Sequence, residues 1–154
     1  MLTLAIDPGQ RGAIAILSDA QTVELLADLP VVSDKSLAWI DGGELQSLIL
    51  GAMQGRACVA YVERVSAMPR QGVASSFSFG VGFGSVLSVL QTLRLPLEFV
   101  TPAVWKRFYG LGSEKRASLD KARLLFPLAD LRLAKHDGRA EALLIANWAA
   151  MRRK

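Results

Sequence analysis

The sequence predicts an α/β fold: a mixed, five-stranded sheet flanked by helices on both faces. Two observations predict it. Five short apolar runs of strand length lie within residues 1–100, and segments with helical spacing separate and follow them, giving at least two strand–helix–strand passages of the kind parallel pairing needs. The chain has 154 residues, of which 51% are hydrophobic and 21% charged. That is the size and composition of a single globular domain over 1–154, and it excludes disorder.

The elements follow in order. Residues 2–6 form an apolar run that stops at Asp7-Pro8-Gly9, so the first strand carries Asp7 at its carboxyl end. Residues 12–17 resume as its hairpin partner, and residues 22–29 are a third strand ended by Pro30. Residues 31–43, punctuated by Asp, Ser and Gly, read as a loop. Leu45, Leu48, Ile49 and Ala52 share a stripe, which predicts a helix over 44–53. Residues 57–62 are apolar throughout, as in a central strand covered on both faces, and end at Glu63-Arg64. After a loop over 66–72, residues 73–93 read as a helix containing Gly80, Gly82 and Gly84. These glycines lack the Lys-Ser/Thr ending of a phosphate loop, and their small size suits close helix packing, within or between subunits. Residues 97–100 are the fifth strand. Thr101-Pro102 opens a helix with a capping residue and a first-turn proline. Ser113 caps the next helix, which runs to about Phe126, and residues 137–152 form the last, with Leu144, Ile145, Trp148 and Met151 facing inward.

The single cysteine, Cys58, sits in an apolar run and is expected to be a buried, reduced thiol. The first seven residues lack a basic leader, and no uninterrupted apolar segment approaches the roughly 18 residues of a membrane span. A soluble, cytoplasmic protein with no membrane partner is expected. The net charge of +4 is unevenly spread. Residues 1–100 carry six Lys/Arg against nine Asp/Glu; residues 101–154 carry twelve against five. A basic last third fits a polyanion such as nucleic acid, although ordinary helix faces can be as basic.

Asp7 and Glu63 both terminate apolar strands. If the strands are neighbours, the two carboxylates emerge at one sheet edge. Asp137 and Glu141 are four residues apart and share a helix face. Clustered carboxylates repel unless a cation compensates them, and hard oxygen ligands suit Mg²⁺ or Mn²⁺. Each acid also has a plainer reading: Asp7 as a turn residue, Glu63 as a solvated strand end, Asp137 as a helix cap. His136 is either a ligand or proton donor beside these acids or, more simply, a helix-start residue. Lys106, Arg107, Lys115, Arg116 and Lys121 flank Trp105, Phe108 and Tyr109, so cations could meet phosphates there; core packing is the plainer role for Trp105.

Taken in order, Ala5-Ile6-Asp7-Pro8-Gly9, the strand after Gly12, Val62-Glu63, Trp105-Lys106, Gly110-Leu111-Gly112 and the closing Asp137-Gly138-Arg139-Ala140-Glu141-Ala142 resemble the RuvC family of Holliday junction resolvases. That family lies within the RNase H-like nuclease superfamily, and the chain looks closest to its compact phage-type forms. The resemblance covers roughly residues 2–150. It implies an RNase H-like fold and a Mg²⁺-dependent endonuclease, with two ions per site and Mn²⁺ as a substitute, held by Asp7, Glu63, Asp137 and Glu141. Many members carry two last-helix acids three residues apart, and here the first of those places falls on Gly138. Loss of Asp137 is nevertheless expected to hurt more than loss of Glu141. Lys106 and Lys115 match DNA-contacting lysines, Arg116 and Lys121 extend that surface, and Met68 and Arg70 lie in a loop that reaches the junction centre.

The expected activity is resolution of four-way junctions by paired symmetric nicks, leaving 5′-phosphate and 3′-hydroxyl ends. The expected partners are branched DNA and a second copy of the chain, with no small-molecule cofactor. An RNase H-like nuclease acting on RNA or other branched DNA is the alternative, and a non-catalytic junction-binding module a further one. An actin-type ATPase, which shares the first-strand Asp, needs two such lobes.

Overall fold

The computed structural model describes residues 1–9, 12–34, 37–64 and 72–153. Its main sheet has five strands in the order β3-β2-β1-β6-β7: Val23–Asp28, Ala13–Ser18, Leu2–Asp7, Cys58–Glu63 and Leu97–Val100. The first three pair antiparallel as a meander, while β6 runs parallel to both β1 and β7. Helices α1 (Gly42–Met53) and α2 (Val73–Thr92) make the parallel crossovers. Helices α3 (Pro102–Phe108), α4 (Lys115–Leu125) and α5 (Asp137–Arg152) complete the domain.

Alternation along the strands divides the core in two. Leu2, Leu4, Ile6, Ile14, Ile16, Ala60 and Val62 pack with Leu45 and Ile49 of α1 and Val86 and Leu90 of α2. Ala5, Ala13, Ala15, Leu17 and Tyr61 face the other way, onto α3, α4 and α5. Helix α5 lies across this second face beneath α3 and α4, so nearly every residue from Gly138 to Ala150 is buried. Small side chains there, such as Ala142 and Ala146, allow the helix to be covered on several sides at once. Cys58 is buried, and desolvation pushes its thiol up to about 11, the inert thiol expected.

Several local expectations need correction. Residues 31–43 are not all loop: β4 (Val31–Ser33) and β5 (Ala38–Ile40) form a separate two-stranded sheet. Val31-Val32 and Trp39-Ile40 have strand-forming side chains, but three-residue strands are too short to show periodicity. Helix α4 starts one residue later than a Ser113 cap implies, with Glu114 at its N-cap, and the Thr101 side chain caps nothing. Met151 is 49% exposed: it lies on the side of α5 turned away from the sheet, to which Arg153 still reaches through the Thr3 hydroxyl. Helix α2 also has the length and composition of a membrane span, with 20 residues and a mean hydropathy of 1.6. Val86 and Leu90 nonetheless seat it on the sheet as part of this domain.

Candidate active site

Strands β1 and β6 are parallel and in register through Ile6 opposite Val62. The next residues on each are Asp7 and Glu63, which therefore leave the sheet side by side on strands about 4.8 Å apart. Both follow the parity of Ala5 and Tyr61, so both face α5. The turn beyond Asp7 is built against it. The Gly9 amide donates to Asp7 Oδ1 at 3.0 Å, and the Gly12 amide donates to the Gly9 carbonyl at 2.8 Å. A Cβ on Gly12 would stand 2.2 Å from the Asp7 carbonyl oxygen and 2.7 Å from that of Gly9, so no other residue fits there.

Glu63 is only 5% exposed. Desolvation, then the neighbouring charges of Asp7 and Glu141, push its carboxyl up from 4.5 to about 7. Two groups from α3 oppose that shift: the indole of Trp105 and the ammonium of Lys106. Trp105, fully buried, donates from Nε1 to Glu63 Oε1 at 2.7 Å. Lys106 Nζ lies 2.9 Å from Glu141 Oε1, which also accepts from the Ser118 hydroxyl at 3.2 Å. Strand ends, α3 and the first turns of α5 thus meet around three carboxylates. α3 itself is held to α5 through the Tyr109 hydroxyl, which donates to the Leu144 carbonyl at 3.0 Å and accepts from Asn147 Nδ2 at 2.8 Å.

The other predicted residues separate. Asp137 begins α5 and lines a cleft of about 430 Å³ with Arg116, Leu119, Arg123 and Arg132, whereas Glu141 is the last-helix acid whose charge acts on Glu63. Buried His136 sits by a different cluster, in which Arg139 lowers the carboxyl of Asp28 and Arg132 that of Asp130. Arg139 grips Asp28 at 2.6 and 3.0 Å and reaches Asp130 at 3.1 Å, tying the start of α5 to the end of β3. Lys106 belongs to the carboxylate cluster, at 18% side-chain exposure, rather than to the open surface. Arg116 is 89% exposed on α4, with a loose 3.7 Å pair to Asp120, and Lys121 is half-buried on the same helix. Lys115 is the first residue of α4, but its side chain, like Met68 and Arg70 entirely, lies outside the described residues. Trp105, expected as core, proves also to be a hydrogen-bond donor to the cluster. Ser118, another donor to it, carries no signal in the sequence, because a lone helical serine is common.

The donor set suits a hard divalent cation. Asp7, Glu63 and Glu141 offer only carboxylate oxygen, and Lys106 is the one cation among the described residues that pairs with any of the three. Among the described residues, no three such side chains stand at metal-holding spacing.

A three-strand antiparallel meander extended by two parallel strands, with carboxylates at the ends of its two central strands, defines an RNase H-like α/β fold. The fold is similar to that of RuvC. The chain superposes on T. thermophilus RuvC in complex with a Holliday junction substrate with a TM-score of 0.67, at 19% identity, over 99% of this chain and 95% of that one. A second Thermus thermophilus RuvC structure gives 0.60 at 18% identity, over 99% and 96%. In sequence, the chain is 37% identical over 97 residues to the chloroplastic Holliday junction resolvase MOC1 of Chlamydomonas reinhardtii, a match that takes in 60% of this chain and 11% of that protein. No protein-family model matches.

Proposed function

We propose that the chain is a metal-dependent, structure-selective endonuclease that resolves four-way DNA junctions by paired symmetric nicks. The observation that carries the reading is the convergence of Asp7, Glu63 and Glu141 at one edge of a RuvC-type sheet. Mg²⁺ ions, two per site and replaceable by Mn²⁺, would supply an activated water and charge compensation for the leaving 3′-oxygen. Asp7 and Glu63 would hold them from the strand ends, with Glu141 and Asp137 contributing from α5. Lys106 pairs with Glu141 and would exchange that partner for a phosphate of the bound strand. Arg116 and its neighbours on α4 would hold the backbone of an arm at a distance from the cut.

Similarity to a Holliday junction resolvase and to a RuvC–junction complex favours branched DNA over RNA as substrate. Two symmetric nicks need two sites, so a twofold homodimer belongs to the reading. A nicking assay tests it with four-way junction, Y-fork, duplex and RNA–DNA hybrid, with Mg²⁺ and with chelator. Mg²⁺-dependent nicking strongly selective for the junction, with 5′-phosphate ends, is the expected result. Preference for the hybrid would move the function to RNA, and junction binding without nicking would leave a binding module.

A further inference from the structure

We propose that Trp105 is a positioning residue for Glu63, fixing the direction of that carboxylate at the sheet edge so that a cation meets it with one oxygen already committed. The inference rests on the metal-dependent reading above. The indole and the carboxylate come from elements 42 residues apart, yet meet at 2.7 Å in a buried pair. A buried indole N–H needs an acceptor, and here the acceptor taken is the one buried acid of the site, although the buried core also holds Ser118 and Asn147. Only Oε1 of Glu63 is engaged: among the described residues Oε2 accepts no hydrogen bond, which leaves one oxygen committed to orientation and one free to ligate.

The need for such a bond follows from the electrostatics. Asp7 leaves the adjacent strand beside Glu63 with like charge, and an unheld carboxylate on a flexible two-carbon stem would swing away from it. An indole N–H offers a donor that carries no charge and cannot itself be displaced by a divalent cation as Lys106 can. Consecutive residues of α3 therefore play different parts. Lys106 compensates Glu141 by charge, and Trp105 fixes Glu63 by direction. Hydrogen-bonding partners of metal ligands typically change metal affinity by about 10–100-fold when removed.

The experiment measures Mn²⁺ affinity calorimetrically on the full chain without DNA, for the parent, Trp105→Phe and Phe126→Leu. Phe126 is buried in the same core and has no polar group to offer the acids, so its truncation controls for lost packing. Trp105→Phe is expected to weaken Mn²⁺ binding by about tenfold or more, while Phe126→Leu lowers the melting temperature with affinity unchanged. Equal affinity in parent and Trp105→Phe overturns the positioning role and leaves the metal site standing. A parent that binds no Mn²⁺ overturns the metal reading and this proposal with it. Should Trp105→Phe fail to fold, the indole N–H resonance of Trp105 in the parent decides instead. It should shift on Mg²⁺ addition and lose that response in Glu63→Gln; a resonance indifferent to Mg²⁺ overturns the proposal.

Discussion

Glu63 shows what the site demands of a single residue. With its carboxyl raised to about 7 from an ordinary 4.5, the folded chain keeps between those values a proton that the unfolded chain has released. The folded state binds more protons there, so metal-free stability falls as pH rises through the window, and above it the loss is on the order of 3 kcal/mol. Glu63→Gln preserves an acceptor for Trp105 without the charge. In chelator, urea unfolding should show this variant more stable than the parent at about pH 8 and nearly equal to it at about pH 5. Parallel curves for the two proteins would mean that the charge is compensated by other means. Asp7→Asn removes the neighbouring charge at constant shape; it should abolish nicking in the junction assay while binding persists or tightens, because carboxylate repulsion of phosphate falls. For the α5 acids the geometry reverses the order expected from sequence: Glu141→Gln should reduce nicking more than Asp137→Asn, since it is Glu141 whose charge reaches Glu63. A larger loss with Asp137→Asn would put the cleft lined by Arg116 and Arg132 in the reaction.

At the scale of an element, α4 separates two kinds of arginine that look alike in the sequence. Arg116 projects into solvent with one weak partner, whereas Arg123 donates to the carbonyls of Leu131 at 2.8 Å and Arg132 at 3.0 Å and so fastens α4 to the segment before α5. Arg116→Ala should leave stability unchanged and flatten the log–log salt dependence of junction binding by about one unit. Arg123→Ala should instead cost about 1 kcal/mol in urea unfolding. An unaltered salt slope for Arg116→Ala would place this face of α4 away from DNA. The same contrast explains what was legible. Asp7 and Glu63 were readable because an acid that ends an apolar strand is a local pattern, and parallel pairing of the two strands follows from the helix between them. The bonds from Trp105 to Glu63 and from Lys106 to Glu141 span 42 and 35 positions, and nothing local marks a core tryptophan as a donor or a basic residue as a counter-ion. The β4–β5 hairpin was hidden by its shortness.

Among the described residues, one large surface of the molecule has no partner within the chain. Strand alternation and the apolar run at β6 made the two-faced sheet readable from sequence, yet α2 meets that sheet mainly through Val86 and Leu90. Its exposed residues Val73, Phe77, Gly80, Gly84 and Ser88 recur every three or four positions, so they form one face. Phe77 is 62% exposed and Val73 88%, while a Cβ on Gly80 or Gly84 would touch nothing within 4 Å. Those glycines are therefore not small to accommodate this chain's own sheet, and a second copy of α2 crossing at that face would use both the gap and the flanking apolar side chains. Under the proposed reading, two symmetric nicks in a pseudo-twofold junction would need two such carboxylate clusters, and a dimer built on α2 would supply them. Sedimentation equilibrium should find the parent dimeric at micromolar concentration, and the parent should linearise a cruciform plasmid. Phe77→Glu places a charge in the centre of the apolar face and should yield a folded monomer that leaves the plasmid singly nicked, with the rate per site largely kept. A Phe77→Glu protein that stays dimeric would move the interface elsewhere on the surface. A parent that is monomeric and only nicks would replace paired resolution with a structure-selective nickase, on the same fold and the same carboxylates.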